Sequence, residues 1–454
     1  MGPRSVVQQP LTLGRIARTW WPLAASWALM GLEGPMIAAV LARLADPKIN
    51  LAAYGGIVFP LALVIEAPVI MLLAASTALT RDWQSYVLLR RFTHGLSASL
   101  TLLHVLVVAT PLYYVVVEGL IGAPAAIVEP ARVGLAIMIP WTWAIAYRRF
   151  NQGVLIRYGH SLMVGTGTLV RLAADAAVLT VGYVLGSVAG IVVASSAIMA
   201  GVFSEAAYAH WRVGPIVAQR LRPSEGSTGR RLTFRSLLRF YVPLSLTSVL
   251  ALLVQPIGSA AMSRLPGALE SLAVWPVVTG LSFLLRSPGF AYNEVVVALL
   301  DEPDAAARLR RFARLLSVAS TGALLVMLLP LASGLWFEGL MGLPPSLAVL
   351  AQRSLWIALP LPAFSVLEAW YQGLIVDSRH TRGITEAVAL SLAVICLVLL
   401  GAVAWGAVTG IYAAMAAFTL GEALRTVWLR RRSRMAWTVR SRAQSSGSAV
   451  SITP

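Results

Sequence analysis

Apolar runs of roughly 20 residues recur along the whole chain, separated by short stretches that carry arginine, glycine and proline. A run of this length can cross the apolar core of a bilayer as an α-helix. The pattern therefore predicts an all-α polytopic membrane protein with twelve transmembrane helices, which we number as spans 1 to 12. The predicted ranges are 19–42, 52–79, 93–117, 132–147, 162–184, 188–209, 240–262, 270–299, 313–336, 350–375, 384–402 and 406–427.

The positive charges lie between the apolar runs rather than in one patch. The 454 residues are 58% hydrophobic and 12% charged, and the net charge is +17. Arginine clusters fall in alternate loops, and such clusters mark cytoplasmic loops of membrane proteins. This distribution predicts a protein integral to the cytoplasmic (inner) membrane with both termini in the cytoplasm, and it argues against a nucleic-acid partner. A single cysteine, Cys396, excludes a disulfide within the chain and a cysteine-based metal site.

The two halves of the sequence repeat each other at an offset of 217 to 222 residues. Six spans per half is an even number, so both halves enter the membrane with the same orientation. We therefore expect a pseudo-symmetry axis along the membrane normal and a solute path between the halves. The matching landmarks are Trp21-Pro22-Leu23 with Val242-Pro243-Leu244, Arg43-Leu44 with Arg264-Leu265, 89–92 with 309–312, 118–124 with 338–344, Gln152-Gly153 with Gln372-Gly373, and 204–206 with 421–423.

The duplication and the charge clusters together divide the chain into four segments. We predict an N-terminal six-helix bundle over 1–209 and a basic cytoplasmic linker over 210–239. A C-terminal six-helix bundle is predicted over 240–428. A basic, serine-rich cytoplasmic tail follows over 429–454.

Two spans in equivalent places are predicted to be broken helices. Glu33 is the only acid in the first apolar run, and Pro35 removes a backbone donor beside it. A carboxylate at membrane depth is costly and marks a functional position. Gln255 and Pro256 interrupt span 7 in the same way. Matching interruptions in two halves point to a transporter's binding site, and Glu33 is our candidate for a group that titrates or binds a coupling ion.

Spans 2 and 8 carry opposite charges at equivalent positions. Glu66 precedes Pro68, and Arg286 precedes Pro288. We expect helix breaks at both prolines. Glu66 and Arg286 are predicted either to face the central cleft or to form a permanent structural pair. In the cleft they close it as a salt bridge in one state, or Arg286 meets an anionic group of the solute once Glu66 lets go.

Four further polar residues within the spans are candidates for the solute path. Arg171 and Asp175 lie four residues apart in span 5, which places them on one helix face and favours mutual neutralisation over contact with a solute. Asn293 and Glu294 lie about two turns from Arg286 in span 8, so they extend its polar stripe or lie near the inner surface.

The whole chain resembles the multidrug/oligosaccharidyl-lipid/polysaccharide (MOP) exporter superfamily, which includes the MATE exporters. The resemblance rests on the two six-helix halves, the basic linker, and Gln-Gly-Val-Leu-Ile at 152–156 followed by His160. Three shorter stretches resemble most closely the progressive-ankylosis (ANK) proteins and their bacterial relatives: 34–55 with Ala53-Tyr54-Gly55, 243–264 with Gln255-Pro256-Ile257, and 405–422 ending in Leu420-Gly421-Glu422.

The resemblance carries expectations about fold and activity. It implies a V-shaped pair of bundles, with spans 1, 2, 7 and 8 lining a cleft that opens to alternate sides. ANK relatives are associated with export of small anions such as pyrophosphate, citrate and nucleotides. MATE relatives export organic cations against protons or sodium. We expect a monomer with no cofactor, coupled to H⁺ or Na⁺.

No enzyme motif is present: the sequence lacks a Gly-Lys-Ser/Thr phosphate loop, His-Glu-x-x-His and Gly-x-Ser-x-Gly. We predict a secondary transporter, not an enzyme, that exports a small charged solute. The resemblance and Arg286 favour an organic or phosphate-type anion, whereas Glu33 and Glu66 oppose that choice. The alternatives are a proton- or sodium-coupled exporter of organic cations and a flippase for a lipid-linked saccharide. Broken helices and buried charges argue against a passive scaffold.

Overall fold

The predicted spans correspond in order to helices of the structure. A computed structural model describes residues 11–222, 232–300, 302, 305–377 and 382–447, and these contain helices and no strand. In order, the main helices of this part are α1 Leu13–Leu41, α2 Pro47–Leu79, α3 Trp83–Ala109, α4 Ala125–Ile137 with Trp141–Arg157, α5 Leu162–Leu185, α6 Gly190–Leu221, α7 Phe234–Ser263, α8 Ala268–Leu299, α9 Ala305–Met327, α10 Pro345–Ile357 with Leu361–Asp377, α11 Arg382–Trp405 and α12 Gly410–Gly447. Two shorter helices, Leu112–Ile121 and Pro330–Leu340, follow α3 and α9, respectively.

The number of membrane crossings is close to the predicted twelve. Within the described ranges, 8 helices are long and apolar enough to cross a membrane, or up to 11 if each of three bent pairs is one span. The helix α12 is outside that count, and it carries the basic residues that follow Leu429. The structure is therefore a polytopic membrane fold in which the twelfth helix is partly polar.

Several predicted boundaries are displaced because helices continue through basic segments. The helix α3 begins at Trp83, ten residues earlier than predicted, because the Asp82 carboxylate accepts from the Ser85 amide at 2.8 Å and Ser85 Oγ accepts from the Asp82 amide at 3.0 Å. Such a capping box satisfies free amides at a helix start. The predicted linker is also shorter, since α6 reaches Leu221 and α7 begins at Phe234, while 223–231 lie outside the described residues. The segment from 429, which was predicted to be a tail, is instead the continuation of α12, and this helix ends at Gly447.

Spans 1 and 7 are broken at equivalent points, as predicted. The breaks fall at Leu32 and Leu253, three residues before Pro35 and Pro256. The first segment of α1 packs mainly against α8 of the other half, whereas the second segment packs against α5 and α6 of its own half as well as α8. The first segment of α7 likewise packs mainly against α2 across the seam. Each break therefore lies in a helix that contacts both halves.

The other two predicted breaks differ from each other. The helix α2 is interrupted at Met71, three residues beyond Pro68. The helix α8 is continuous through Pro288, so a break there was wrongly predicted. A proline leaves the carbonyl four residues earlier without its helical donor, and here Ser287 Oγ donates to Leu284 O at 2.7 Å. This local hydrogen bond explains why α8 remains whole.

One end of the seam is closed by reciprocal contacts between the repeats. Arg43 donates to the carbonyl oxygens of Gly339 and Leu340, at 2.8 and 2.9 Å. Arg264 does the same to Gly119 and Leu120, at 3.3 and 2.8 Å. We call this the sealed end, and the opposite end, where α3, α9 and the first segment of α1 begin, the basic end.

Two further contacts hold the halves together near the sealed end. Lys48 Nζ lies 2.8 Å from Glu270 Oε1 across the seam. Between Ala53 and Val58, α2 is wound as a π-helix, and its Gly55 packs directly onto Pro276 of α8. A side chain at residue 55 would not fit, so the backbone of α2 lies directly against the ring of Pro276 where the two helices cross.

Replacing Gly55 with alanine is expected to force α2 and α8 apart, because the added Cβ would lie 2.3 Å from Pro276 Cγ. Overpacking of this kind costs about 1–3 kcal/mol, so the apparent melting temperature of the purified protein in detergent should fall. Gly119→Ala is the control, since Gly119 also lies in a π-helix and its added Cβ meets nothing within 4 Å. Equal melting temperatures for the two variants would contradict this close crossing.

Candidate functional site

Glu33, the acid at the break in α1, is held by an arginine of its own half. Glu33 as a whole is 9% exposed. Its carboxylate accepts from Arg171 Nε at 2.8 Å, and a second guanidinium nitrogen of Arg171 donates to the other oxygen. A forked pair of this kind is among the strong charge-assisted hydrogen bonds. The predicted neutralisation of Arg171 by Asp175 is therefore wrong: Arg171 turns to Glu33 instead.

Asp175 is left as a buried acid without an ion-pair partner in the described structure. Its exposure is 0%, and neither carboxylate oxygen accepts from a donor group among the described residues. It is packed tightly, because a Cβ added to Gly201 would lie 1.8 Å from Asp175 Oδ1. Glu33 and Arg171 are the charged groups that act on it most strongly.

Arg148 and Glu205 form a second buried ion pair in the N-terminal half. The two groups are in direct contact, and both side chains are almost fully buried. Gln152 Nε2 donates to Glu205 Oε1 at 2.8 Å, and Arg171 lies 3.9 Å from the other oxygen. The predicted span 4 ends at residue 147, which places Arg148 in the cytoplasmic loop that follows. The second segment of α4 instead runs to Arg157, which places Arg148 within the bundle.

The C-terminal half contains a corresponding network. Arg286 donates to Glu422 Oε2 at 2.5 Å. Arg425 lies 3.3 Å from the other oxygen of Glu422 and 3.5 Å from Glu368. Thr426 Oγ1 donates to Glu368 at 3.1 Å. Every charge in this group thus has an opposite charge within the same half.

Glu66 and Arg286 do not form the predicted salt bridge. Arg286 is engaged by Glu422, and Glu66 is 4% exposed with an Oε2 atom that has no hydrogen-bond partner. The charge that acts most strongly on Glu66 is Arg148 of its own half. If an ion pair were buried across a seam that opens, opening would separate the two charges and leave each without its partner. The buried ion pairs of the described structure instead lie within one half.

The two networks are related by the duplication, with two charges exchanged. Glu205 and Glu422 occupy equivalent positions and have the same sign. Glu66 and Arg148 correspond to Arg286 and Glu368, where both signs are reversed. The sequence contained a signal for the second pair, because Arg148 and Glu368 each lie four residues before the glutamine of a Gln-Gly landmark.

The remaining candidates have local roles. Gln255 Oε1 accepts from Trp275 Nε1 at 3.2 Å, and Asn293 Nδ2 donates to Ala369 O at 3.2 Å, both within the C-terminal half. Glu294 is exposed and accepts from Trp27 Nε1 of α1 at 3.4 Å, so it alone of the three contacts the other half. Among the described residues, no group of three or more His, Cys, Asp or Glu could hold a metal ion.

Sequence comparison finds no relative for this chain: no protein-family model matches it, and no curated protein matches it. Comparison of structures does find relatives. An inward-facing multidrug resistance MATE family transporter of the MOP superfamily superposes with a TM-score of 0.69 at 14% identity, over 93% of this chain and 99% of that one.

Two further solved structures give similar agreement. The lipid II flippase MurJ in an inward closed conformation matches with a TM-score of 0.64 at 11% identity, over 96% of this chain and 93% of that one. A MOP superfamily transporter from Pyrococcus furiosus, described as having a binding pocket of reverse polarity that suggests a different function, matches with a TM-score of 0.59 at 16% identity, over 93% and 96%. The chain therefore has the fold of the MATE transporters.

Replacing Arg148 with methionine should leave Glu205 buried without its main partner and destabilise the protein by about 3–5 kcal/mol. The double variant Arg148→Met with Glu205→Leu is the matched control, since removal of both charges from a buried pair is often nearly neutral. Thermal unfolding followed by tryptophan fluorescence in detergent compares them. The role assigned to this pair is wrong if the double variant melts no higher than the single one.

Proposed function

We propose that this protein is a secondary transporter that moves a small charged solute between its two halves by alternating access. The observation that carries the proposal is the distribution of ion pairs in the described structure. The buried pairs each lie within one half, whereas the pairs that cross the seam, Arg15 with Glu302 and Lys48 with Glu270, are partly exposed. Two bodies built this way can rock against each other without separating buried charges.

The proposed orientation places the basic end in the cytoplasm and the sealed end outside. Positive residues near membrane helices favour the cytoplasmic side. The contacts of Arg43 and Arg264 then close the outer end, which agrees with the likeness to an inward-facing MATE structure. On this proposal the protein resides in the inner membrane and releases its solute outward when those contacts part.

We further propose that the solute is a small organic or phosphate-type anion. Arg286 lies beside the seam: its guanidinium is 5.4 Å from the Phe290 ring, and that ring packs against Trp27 of α1. Its Nε has no hydrogen-bond partner in the described structure. An anion can share this guanidinium while Arg425 continues to neutralise Glu422. The resemblance of three sequence stretches to ANK proteins supports the same choice.

Coupling is proposed to act through Glu33. When Glu33 binds a proton, its forked pair with Arg171 is lost, and the guanidinium becomes available to an anion. The neighbouring buried Asp175, on which Glu33 acts directly, offers a second place for that proton. A proton and an anion would then favour each other's binding, because each compensates the other's charge.

Two other functions have a specific observation in their favour. The unpartnered oxygen of the buried Glu66 is suited to a cationic solute, as in a MATE-like exporter coupled to protons or sodium. A lipid-linked saccharide flippase is favoured by an apolar groove of about 570 Å³ between the halves, lined by Ile65, Val116, Pro256 and Leu400 among others. The likeness to MurJ is consistent with that second alternative.

Glu33→Gln should abolish the dependence of anion efflux on pH, because its side chain cannot bind or release a proton. Efflux of labelled citrate from proteoliposomes, at a series of internal pH values, measures this. Wild-type efflux should rise as the internal pH falls. Glu294→Gln is the control for titration of citrate itself, since Glu294 is exposed and pairs with no arginine among the described residues. A Glu33→Gln profile that follows the wild-type profile would rule out this coupling role.

Arg286→Ala should reduce efflux of citrate and pyrophosphate by about tenfold or more, which corresponds to the loss of one charge-assisted contact. Efflux of an organic dye cation should be unchanged or increased. Arg286→Lys keeps the charge but not the forked donor groups, so its anion efflux should lie between that of wild type and that of Arg286→Ala. Loss of cation efflux with intact anion efflux would favour the MATE-like alternative, and equal loss of both would point to a structural role for Arg286.

A further inference from the structure

A cavity distinct from the apolar groove at the seam lies in the C-terminal half at the basic end. Both α9 and α12 pack against α10, and a cavity of about 610 Å³ lies between them. Its walls carry Arg310 and Arg314 from α9 and Arg430 and Arg434 from α12, and its lining includes Trp370 and Tyr371 from α10. Cavities of this size commonly hold small ligands.

The lining of the cavity is strongly positive. No acid is among its lining residues within the described structure. The side chains of Arg310, Arg314 and Arg430 are exposed and make no hydrogen bond or ion pair with the described residues. Other arginines at this end are paired, such as Arg432 with Glu386 at 2.5 Å. Three guanidinium groups without such a partner therefore create a local demand for negative charge around one recess.

The duplication shows that the fold itself does not require most of these charges. Arg310 corresponds to Arg90, but Arg314 corresponds to His94, and Arg430 and Arg434 correspond to Val213 and Val217 in the N-terminal half. Val213 is buried, so the equivalent place on α6 is apolar. The cluster of four arginines is thus a feature of one half alone, which is the expected pattern for a ligand site rather than for shared architecture.

The cavity is separate from the network at Arg286. Arg430 lies eight residues beyond Glu422 on α12, which is about 12 Å along the helix axis. The intervening Arg425 is neutralised by Glu368 and Glu422. Occupation of the recess therefore does not compete directly with a solute at the seam.

We propose that this recess binds a phosphate group, presented either by the headgroup of an anionic phospholipid or by a free phosphate anion. Guanidinium groups bind phosphate through paired N–H donors, and several of them can surround its oxygens. The recess lies where apolar helices meet the basic loops, so a lipid headgroup can reach it from the membrane and a free anion from the water. The buried Trp370 forms part of its apolar lining.

The test uses the full-length protein and two probes that separate the sources. Lipids retained after extraction from vesicles of phosphatidylglycerol and phosphatidylcholine are counted by native mass spectrometry. Binding of pyrophosphate in detergent is measured by isothermal titration calorimetry. The variant Arg310→Gln with Arg430→Gln should weaken binding of the recognised probe by about tenfold or more. Retention of phosphatidylglycerol alone identifies the lipid, and pyrophosphate binding identifies the free anion.

The control is Arg311→Gln with Arg431→Gln, which removes the same charge from the same two helices. Both arginines are exposed, and neither lines the cavity. The control should bind like wild type. Binding of neither probe to wild type, or equal weakening in both double variants, would overturn the proposal. The same calorimetric titration of Arg286→Ala separates pyrophosphate bound in the recess from pyrophosphate bound at the seam, so failure of this proposal and failure of the proposed function are distinguishable.

Discussion

Neutralisation of buried charge within each half is the constraint on which the rest of this structure depends. An isolated charge in an apolar bundle is costly, and truncation of one partner strands the other. Arg171 with Glu33, Arg148 with Glu205, and Arg286 with Glu422 all obey this rule. As a result, the buried ion pairs of the described structure each lie within one six-helix half, and the ion pairs that cross the seam are partly exposed.

The duplication acts at the seam as well as within the bundles. Arg43 and Arg264 were recognisable as a repeated landmark, and so were the segments 118–124 and 338–344. In the structure each arginine binds carbonyl oxygens of the segment in the opposite half. Because each repeat makes the same contact to the other, a single arrangement of an arginine and the carbonyl groups that it binds occurs twice in the seam. This explains how two halves with little shared sequence retain a matched closure.

Much of the fold could be predicted from hydrophobic pattern and proline positions, because these are local properties. The breaks near Pro35 and Pro256 followed from the lost donors alone. The continuity of α8 through Pro288 could not be predicted in this way, because it depends on the rotamer of Ser287.

Partner choice was the main failure, and it has a physical reason. Sequence spacing shows that Arg171 and Asp175 share a face, but not that Glu33 from another helix lies closer to Arg171. Arg148 was assigned to a loop because a cluster of arginines normally ends a span. The compensating Glu205 lies 57 residues away on α6. Side-chain pairing across helices depends on their packing, which local pattern does not encode.

The exchanged charges of the two networks bear on how the halves diverged after duplication. Glu66 with Arg148 in one half, and Arg286 with Glu368 in the other, are one acid and one base at the same two places in opposite order. A single reversal at either place would have put like charges together, so the two changes must have been fixed in concert or through a neutral intermediate. An N-terminal half that kept Glu66 but took the acid of Glu368 in place of Arg148 would bury two acids in one network. The halves are similar in backbone, yet their polar interiors are no longer interchangeable.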